Sequence, residues 1–518
     1  MQTSCSGMFL TALGEGSLDF FLSFSSSSGE ALGTASPPSR AITLALYRHL
    51  HLEDTGYLMK SFDLCIIGAG PAGYVGAIRA AQSGANVCVV EKAEVGGVCL
   101  NRGCIPTKTL TSFVTLLEKV RTVDKLGIRI DGHVSADLET AMRRKREVVA
   151  TMVKGVRRLL SKRGVTLLSG NGRFVEEKTL EVTSSVEGQR VQAKSFLIAT
   201  GSEPAELPSL PFDGSRIISS NEALELDEVP ESILIVGAGP IGCEFAFILS
   251  GLGTTVTVVE ILDRALPTED DDVSKIMERE LRKRKVTLMT GHSVKTCEKK
   301  GSGVKCTLNS GKQIEVAKVL LSVGRSFDTE QLGLEEVGVE RGTRNEILVS
   351  EEMETNVKGV YAAGDVVGKR MYAHSASREA TVAVANALGQ KRKMNYSAVP
   401  ACIFTKPEVA SVGMTEREAR GKGIDIRTGV SNFRSLGKAH VLDEISGMVK
   451  IVADAKDDRV LGVHIVGAHA SELIHEGAIA LTNGLTTAQL GETIHAHPTL
   501  SEAVMEAADA VHGLSIYS

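Results

Sequence analysis

Two short apolar runs, at 62–67 and 233–236, are each cut off by a glycine turn. Runs this short, rich in Ile, Leu and Val and ended by glycine, read as strands buried on both faces. After the first turn, Gly68-Ala69-Gly70-Pro71-Ala72-Gly73, the pattern predicts a helix to about residue 83. A second strand follows over 86–90 and ends at Glu91. The second turn, Gly237-Ala238-Gly239-Pro240-Ile241-Gly242, leads through a helix to a strand over 255–259 and to Glu260. Further strand-like runs lie at 165–168, 179–183, 195–199, 304–308, 313–316 and 319–322. The stretch 135–162 is apolar at helical spacing, with Ser135 as its predicted N-cap. From 399 the pattern changes. Runs 448–453 and 460–466 read as a hairpin around Asp457-Asp458, and helical patterns follow at 471–483 and 500–512. The expectation is an α/β chain with two parallel-sheet units and an α+β C-terminal part.

Residues 1–58 sustain no period and hold a serine-rich run from Ser23 to Ser28. A secretory signal starts with basic charge, and the first 39 residues contain no Lys or Arg. A transit peptide is poor in acids, and Glu15, Asp19 and Glu30 oppose that. The segment reads as a disordered tail, or as sequence upstream of a native start at Met59, which runs straight into the first strand. A cleaved organellar presequence is the alternative. At 518 residues several domains are expected.

A hydrophobic content of 43% and a charged content of 23% are those of a soluble globular protein. A net charge of -5 gives no footprint for nucleic acid. No stretch approaches the ~20 apolar residues of a membrane span. There are nine cysteines, of which only Cys99 and Cys104 are close together. The others are scattered, and Cys65, Cys88 and Cys243 sit in apolar runs as small core residues. An odd count with no framework points to a reducing compartment. Zinc wants a second close Cys/His pair, so no metal site is expected.

The chemistry lies in the turns and in Gly96-Gly97-Val98-Cys99-Leu100-Asn101-Arg102-Gly103-Cys104-Ile105-Pro106-Thr107-Lys108. Each turn is GxGxxG between a strand and a helix. Gly68, Gly70 and Gly73, like Gly237, Gly239 and Gly242, let backbone N–H groups and a helix N-terminus meet a pyrophosphate. Glu91 and Glu260, each 23 residues after the first glycine of its turn, can accept from a ribose hydroxyl. At Glu260 a carboxylate favours NAD over NADP, although Arg264 lies four residues on. Cys99 and Cys104 can close a small disulfide loop where geometry allows. Lys108 falls one turn after Cys104 in a helix predicted to start near Pro106. In His495-Ala496-His497-Pro498-Thr499-Leu500-Ser501-Glu502, a histidine oriented by a carboxylate can serve as a base.

Together these motifs resemble the pyridine nucleotide-disulfide oxidoreductases over about 59–515, and within that family the dihydrolipoamide dehydrogenase branch. The resemblance implies two Rossmann-like dinucleotide-binding domains and a C-terminal α+β dimerisation domain. The implied parts are 59–209 and 334–398 for FAD, 210–333 for NAD and 399–518 for dimerisation, with 1–58 an N-terminal extension. It makes Cys99 and Cys104 a redox-active disulfide, Cys99 for interchange and Cys104 facing the flavin. It pairs Lys108 with Glu244, makes His497 the acid–base and Glu502 its orienting partner, with His495 the lesser candidate. It assigns Thr200, Gly201, Asp365 and Ala373 to FAD, places Met371 and His374 in the same flavin-side turn, and marks Gly324 at the NAD-side crossing. Val98 departs from the threonine usual there and removes a hydroxyl from the flavin side. The implied reaction oxidises protein-bound dihydrolipoyl groups with NAD+, in a homodimer and in the cytoplasm. The lipoyl group would come from the acyltransferase of a 2-oxoacid dehydrogenase complex or from the H-protein of glycine cleavage. A glutathione reductase-like enzyme using NAD(P)H is the alternative.

Overall fold

The computed structural model describes residues 60–184, 188–327 and 329–517. The expectations for residues 1–58 and for a start at Met59 lie outside these.

The first apolar run forms the strand Lys60–Ile67. Val87–Glu91 and then Thr166–Ser169 lie parallel on one side of it, and Gly188–Ile198 on the other. Leu64, Cys65 and Ile66 are fully buried, as a parallel strand covered on both faces requires. The early half of Gly188–Ile198 pairs antiparallel with Thr179–Thr183, which pairs with Asn171–Glu176. Its last three residues take a further parallel neighbour, Val360–Ala362. Chain from beyond residue 334 therefore returns to complete the first sheet, and one core joins residues 62–199 to 332–394.

The second sheet is parallel throughout, in the order Thr287–Met289, Thr255–Val259, Ser232–Val236, Lys318–Leu321, Ile217–Ile218. A three-stranded antiparallel sheet, Val294–Lys300, Gly303–Leu308 and Gln313–Val316, accompanies it. The C-terminal part is a five-stranded antiparallel sheet with Val460–Gly467 at its centre, flanked by the helices Ala470–Asn483 and Glu502–Ala510. The fold is thus two dinucleotide-type α/β units with an α+β unit behind them. Among the described residues no helix is long and apolar enough to cross a membrane.

Three expectations are corrected. The long helix is Leu138–Lys162, and its N-cap is Asp137, not Ser135. The Asp137 carboxylate accepts from the Thr140 N–H at 3.0 Å, and an ionised cap on the positive helix end outcompetes a serine two residues upstream. The helix expected near Pro106 begins two residues earlier, as Cys104–Arg121. Proline is tolerated there because N–H groups in the first turn have no intrahelical partner. Finally, two of the scattered cysteines are paired. Cys297 and Cys306 face each other across adjacent strands and form a disulfide.

Candidate active site

Both glycine turns have the same construction. Gly68 and Gly237 sit at φ +100° and +102°. A Cβ on Gly73 would lie 1.9 Å from the Gly68 carbonyl oxygen, and one on Gly242 would lie 2.0 Å from that of Gly237. Only glycine lets each helix start this close to its strand. Glu91 accepts from the N–H groups of Ala69 at 2.6 Å and Ala93 at 2.8 Å. Glu260 accepts from those of Ala238 at 2.7 Å and Leu262 at 2.9 Å. Each acid therefore ties its own turn in place as well as lining the cavity beside it.

Cys99 lies in the short helix Gly97–Asn101, and Cys104 opens the helix Cys104–Arg121. Gly97 has φ +56°, and a Cβ there would come 2.7 Å from the Gly70 Cα. The cysteine loop thus packs backbone to backbone on the first turn. Cys99 and Cys104 stand beside each other as free cysteines. The Cys99 thiol bonds to Cys104, and that bond is the main cause of opposite shifts in the two. It raises Cys99, with burial adding to the effect. It lowers Cys104 to about 7, against burial and with help from the charge of Lys108. The positive end of the helix that Cys104 opens acts in the same direction.

Lys108 and Glu244 come from different units and meet. The Lys108 Nζ lies 2.9 Å from each Glu244 carboxylate oxygen. Glu244 is buried in the apolar helix Pro240–Leu252, and its Oε1 also accepts from the Phe404 N–H at 2.9 Å. The Phe404 ring lies 4.7 Å below the Lys108 Nζ. Packing of Leu110 and Val114 with Phe245 and Ile248 in one shared core brings these helices together.

Asp365 follows the returning strand Val360–Ala362. Its Oδ2 accepts from Ser202 Oγ at 2.5 Å, and Arg325 binds the same serine through Oγ at 2.5 Å and O at 2.6 Å. Gly364 holds the bend at φ +87°, its N–H bound to the buried Glu379 at 2.7 Å. Sequence reasoning missed Arg325, Ser202, Glu379 and Phe404 as supports. The first two directly follow residues it named, Gly324 and Gly201. Ala373 opens the helix Ala373–Ala387. His374 bonds to the Pro400 carbonyl at 2.8 Å and is pushed down by burial.

One cavity of about 2910 Å³ joins these parts. Gly68, Gly70, Glu91, Cys99, Cys104, Lys108, Thr200, Gly201, Asp365 and Ala373 line it from one unit, and Gly237, Gly239, Glu244, Glu260 and Gly324 from the other. Gly73 and Gly242 stand behind the turns and shape them. The lining fits a polar ligand. The hydroxyl of Thr200 and the Asn101 Oδ1 are buried with no partner in the protein.

His497 and Glu502 lie outside this cavity. His497 Nδ1 is 2.8 Å from Glu502 Oε1, and the His497 side chain is 77% exposed. Burial works against ionisation of Glu502, but the Thr499 N–H and His497 hold its carboxyl below the usual range. With Nδ1 engaged, Nε2 is the free nitrogen. His495 is spent on the Thr493 carbonyl at 2.7 Å and Glu476 at 3.1 Å.

The pyridine nucleotide-disulphide oxidoreductase pattern matches residues 62–380, and the dimerisation domain of the same family matches residues 399–508. A dihydrolipoyl dehydrogenase of Chlamydia muridarum is 41% identical over 454 residues, spanning 87% of this chain and 96% of that protein. The mitochondrial dihydrolipoyl dehydrogenase of Pisum sativum is 38% identical over 464 residues, spanning 88% and 92%. Among solved structures, LpdA from Mycobacterium tuberculosis superposes with a TM-score of 0.82 at 30% identity, over 87% of this chain and 99% of that one. The HOCl-induced flavoprotein disulfide reductase RclA from Escherichia coli gives 0.77 at 26% identity, over 86% and 99%. Paired glycine turns, the cysteine pair between them and matches across both halves of the chain lead to one assignment: the chain belongs to the pyridine nucleotide-disulphide oxidoreductase family.

Proposed function

We propose that this chain is an NAD+-dependent dihydrolipoyl dehydrogenase, acting as a homodimer on lipoyl groups carried by a partner protein. The observation that carries the reading is the single cavity shared by the cysteine pair and both glycine turns. Gly68, Gly70, Glu91, Thr200 and Asp365 would hold FAD, and Gly237, Gly239 and Glu260 would hold NAD+. FAD, when bound, supplies a two-electron relay between the thiol pair and NAD+.

The chain's residues do the sulfur chemistry. With the Cys99–Cys104 disulfide closed, His497 of the partner subunit takes a proton from one substrate thiol. The thiolate bonds to Cys99 Sγ, the Cys99–Cys104 bond breaks and Cys104 leaves as a thiolate. The second substrate thiol then attacks the substrate sulfur of that mixed disulfide and frees Cys99. The product is a cyclic disulfide, and two electrons and two protons stay on the enzyme. Lys108 favours a Cys104 thiolate, the better leaving group, and once Cys99 is freed its thiol adds to that preference. Glu244 keeps Lys108 in place beside it. Exposed His497, directed by Glu502 and lying outside its own chain's cavity, supports a site completed across the two-fold. The carrier is the acyltransferase of a 2-oxoacid dehydrogenase complex or an H-protein, in a cytoplasmic setting.

The test is turnover of the FAD-loaded protein with dihydrolipoamide and NAD+, beside glutathione disulfide and NADPH, with Cys99→Ser as control. Turnover in the first mixture alone, lost in the variant, is expected. Turnover in the second mixture alone sinks the substrate assignment and Glu260 with it.

A further inference from the structure

We propose that Cys297–Cys306 is a second redox site of this protein, a dithiol/disulfide in the NAD+ unit that exchanges with small dithiols and sets affinity for NAD+. The proposal rests on the reading of Glu260 as the NAD+ end of the cavity.

The two cysteines stand opposite each other in the hairpin formed by Val294–Lys300 and Gly303–Leu308, bonded and with Cα atoms 4.1 Å apart. That is the spacing of a non-hydrogen-bonded antiparallel pair, where side chains come closest. Their surroundings are unequal. Cys306 is fully buried, whereas Cys297 is partly exposed on a strand with only one neighbour in its sheet. On that edge strand Lys295 and Glu298 are exposed beside Cys297, while Lys299 pairs with Asp213 at 3.0 Å and Lys300 with Glu315 at 2.7 Å, so a thiolate reaches Cys297 through its exposure and not through a net positive field.

The buried side reaches the nucleotide site. Cys306 packs in one core with Val236, Val259 and Leu321, the last residues of three strands of the parallel sheet. Val236 runs into the glycine turn and Val259 into Glu260. At the start of the edge strand, the His292 N–H donates to the Glu260 carbonyl at 3.0 Å, and His292 and Val294 line the cavity. The bond therefore staples the edge strand to the core that positions Glu260.

The exchange balances as follows. A thiolate bonds to Cys297 Sγ, the Cys297–Cys306 bond breaks and Cys306 leaves as a thiolate that takes up a proton. The second thiol of the same reagent attacks its own sulfur in the mixed disulfide, closes a cyclic disulfide and frees Cys297 as a thiol. Two electrons and two protons pass to the hairpin, and a cyclic disulfide reverses the step. A thiolate in the apolar core is disfavoured, so exchange needs the edge strand to lift. The site thus follows the sustained ratio of dithiol to disulfide and not single turnovers.

The experiment equilibrates FAD-loaded full-length enzyme in buffers of reduced and oxidised dithiothreitol. Free thiols are alkylated, bonds are mapped by peptide mass spectrometry, and the Kd for NAD+ is measured by calorimetry in each buffer on enzyme carrying Cys99→Ser, which does not turn the dithiol over. Cys297→Ser/Cys306→Ser is the control, with flavin content reporting its fold. The expected result is a 297–306 bond that closes and opens with the buffer, a Kd for NAD+ at least threefold weaker when open, and a weak, buffer-independent Kd in the control. Thiols that stay free at every ratio overturn the proposal, as does the same Kd with the bond open and closed. A wild-type bond map with no change in Kd still overturns it if the control variant fails to fold. Absence of NAD+ binding in both states overturns the Glu260 reading as well. Loss of dihydrolipoamide turnover alone overturns only the substrate assignment.

Discussion

The two nucleotide units repeat the same close approaches at their turns to a few tenths of an ångström and diverge along the helices that follow, most consequentially at one position. Gly68, Gly73 and Glu91 are matched by Gly237, Gly242 and Glu260 in dihedral angle, close approach and hydrogen bonding. Seven residues after the first glycine, however, one unit has Val75 and the other has Glu244. Val75 leaves its helix an ordinary packing element. Glu244 puts a carboxylate into an otherwise apolar helix, and that charge is held there by Lys108, which crosses from the other unit to meet it, together with the Phe404 N–H. The two turns are built alike, and on the proposed mechanism this one side chain ties the second unit to the sulfur chemistry next door.

The largest effect expected is an asymmetric one. Gly73→Ala should abolish flavin retention. Gly242→Ala should keep the flavin and the dithiol half-reaction but lower NAD+ reduction by roughly 100-fold, as a misplaced reactant does. Equal flavin loss in both would show that the turns are not assigned to different ligands. Next, His497→Gln should lower turnover by about 10²–10⁴-fold, the usual worth of an acid–base group. Mixing it with Cys99→Ser after subunit exchange should restore about a quarter of wild-type activity, since one site in each hybrid dimer is intact. No recovery would place both residues in one chain's site.

Copying the first unit into the second, Glu244→Val, strands the Lys108 charge and should cost about 2 kcal/mol of stability in urea unfolding. It also removes a negative charge that raises Cys104. The Cys104 thiolate, read as absorbance at 240 nm against Cys104→Ser, should form half-way near pH 7 in the reduced wild type. Because Lys108 lowers this pKa and Glu244 raises it, the midpoint should move up in Lys108→Met and down in Glu244→Val. Movement in the other direction would refute the electrostatic account. Val98→Thr, at a position lining the cavity, should change turnover less than about threefold, under 0.7 kcal/mol in the barrier.

Much of this was legible because it is local. A glycine turn, its acid 23 residues later and two cysteines five apart are patterns within one βαβ unit or one loop. The pairing of Lys108 with Glu244 spans 136 residues and came from family resemblance, since no period in the chain encodes it. The Arg325 and Ser202 support of Asp365 joins three segments and has no local signal. Cys297–Cys306 is a different case, because its signal was present and was passed over. Gly301-Ser302 is a two-residue hairpin turn, and a tight turn sets register outward from itself. Counting from it pairs Lys300 with Gly303 and, three steps on, Cys297 with Cys306, which is the observed register. Ser135 was misread because two cap-forming residues, Ser135 and Asp137, stand close together and only the backbone direction separates them.

The returning strand Val360–Ala362 carries a consequence for synthesis of the chain. It completes the first sheet against Phe196–Ile198, so the ribosome must add more than 150 residues before that edge is covered. At 5–20 residues per second, that leaves the edge open for roughly 8–30 s. Asp365 arrives with the same strand, so the nascent first unit has its glycine turn long before it has the carboxylate that completes its cavity. On the proposed assignment of Asp365 to FAD, flavin loading is a late event, tied to the docking of a segment made after residues 210–333.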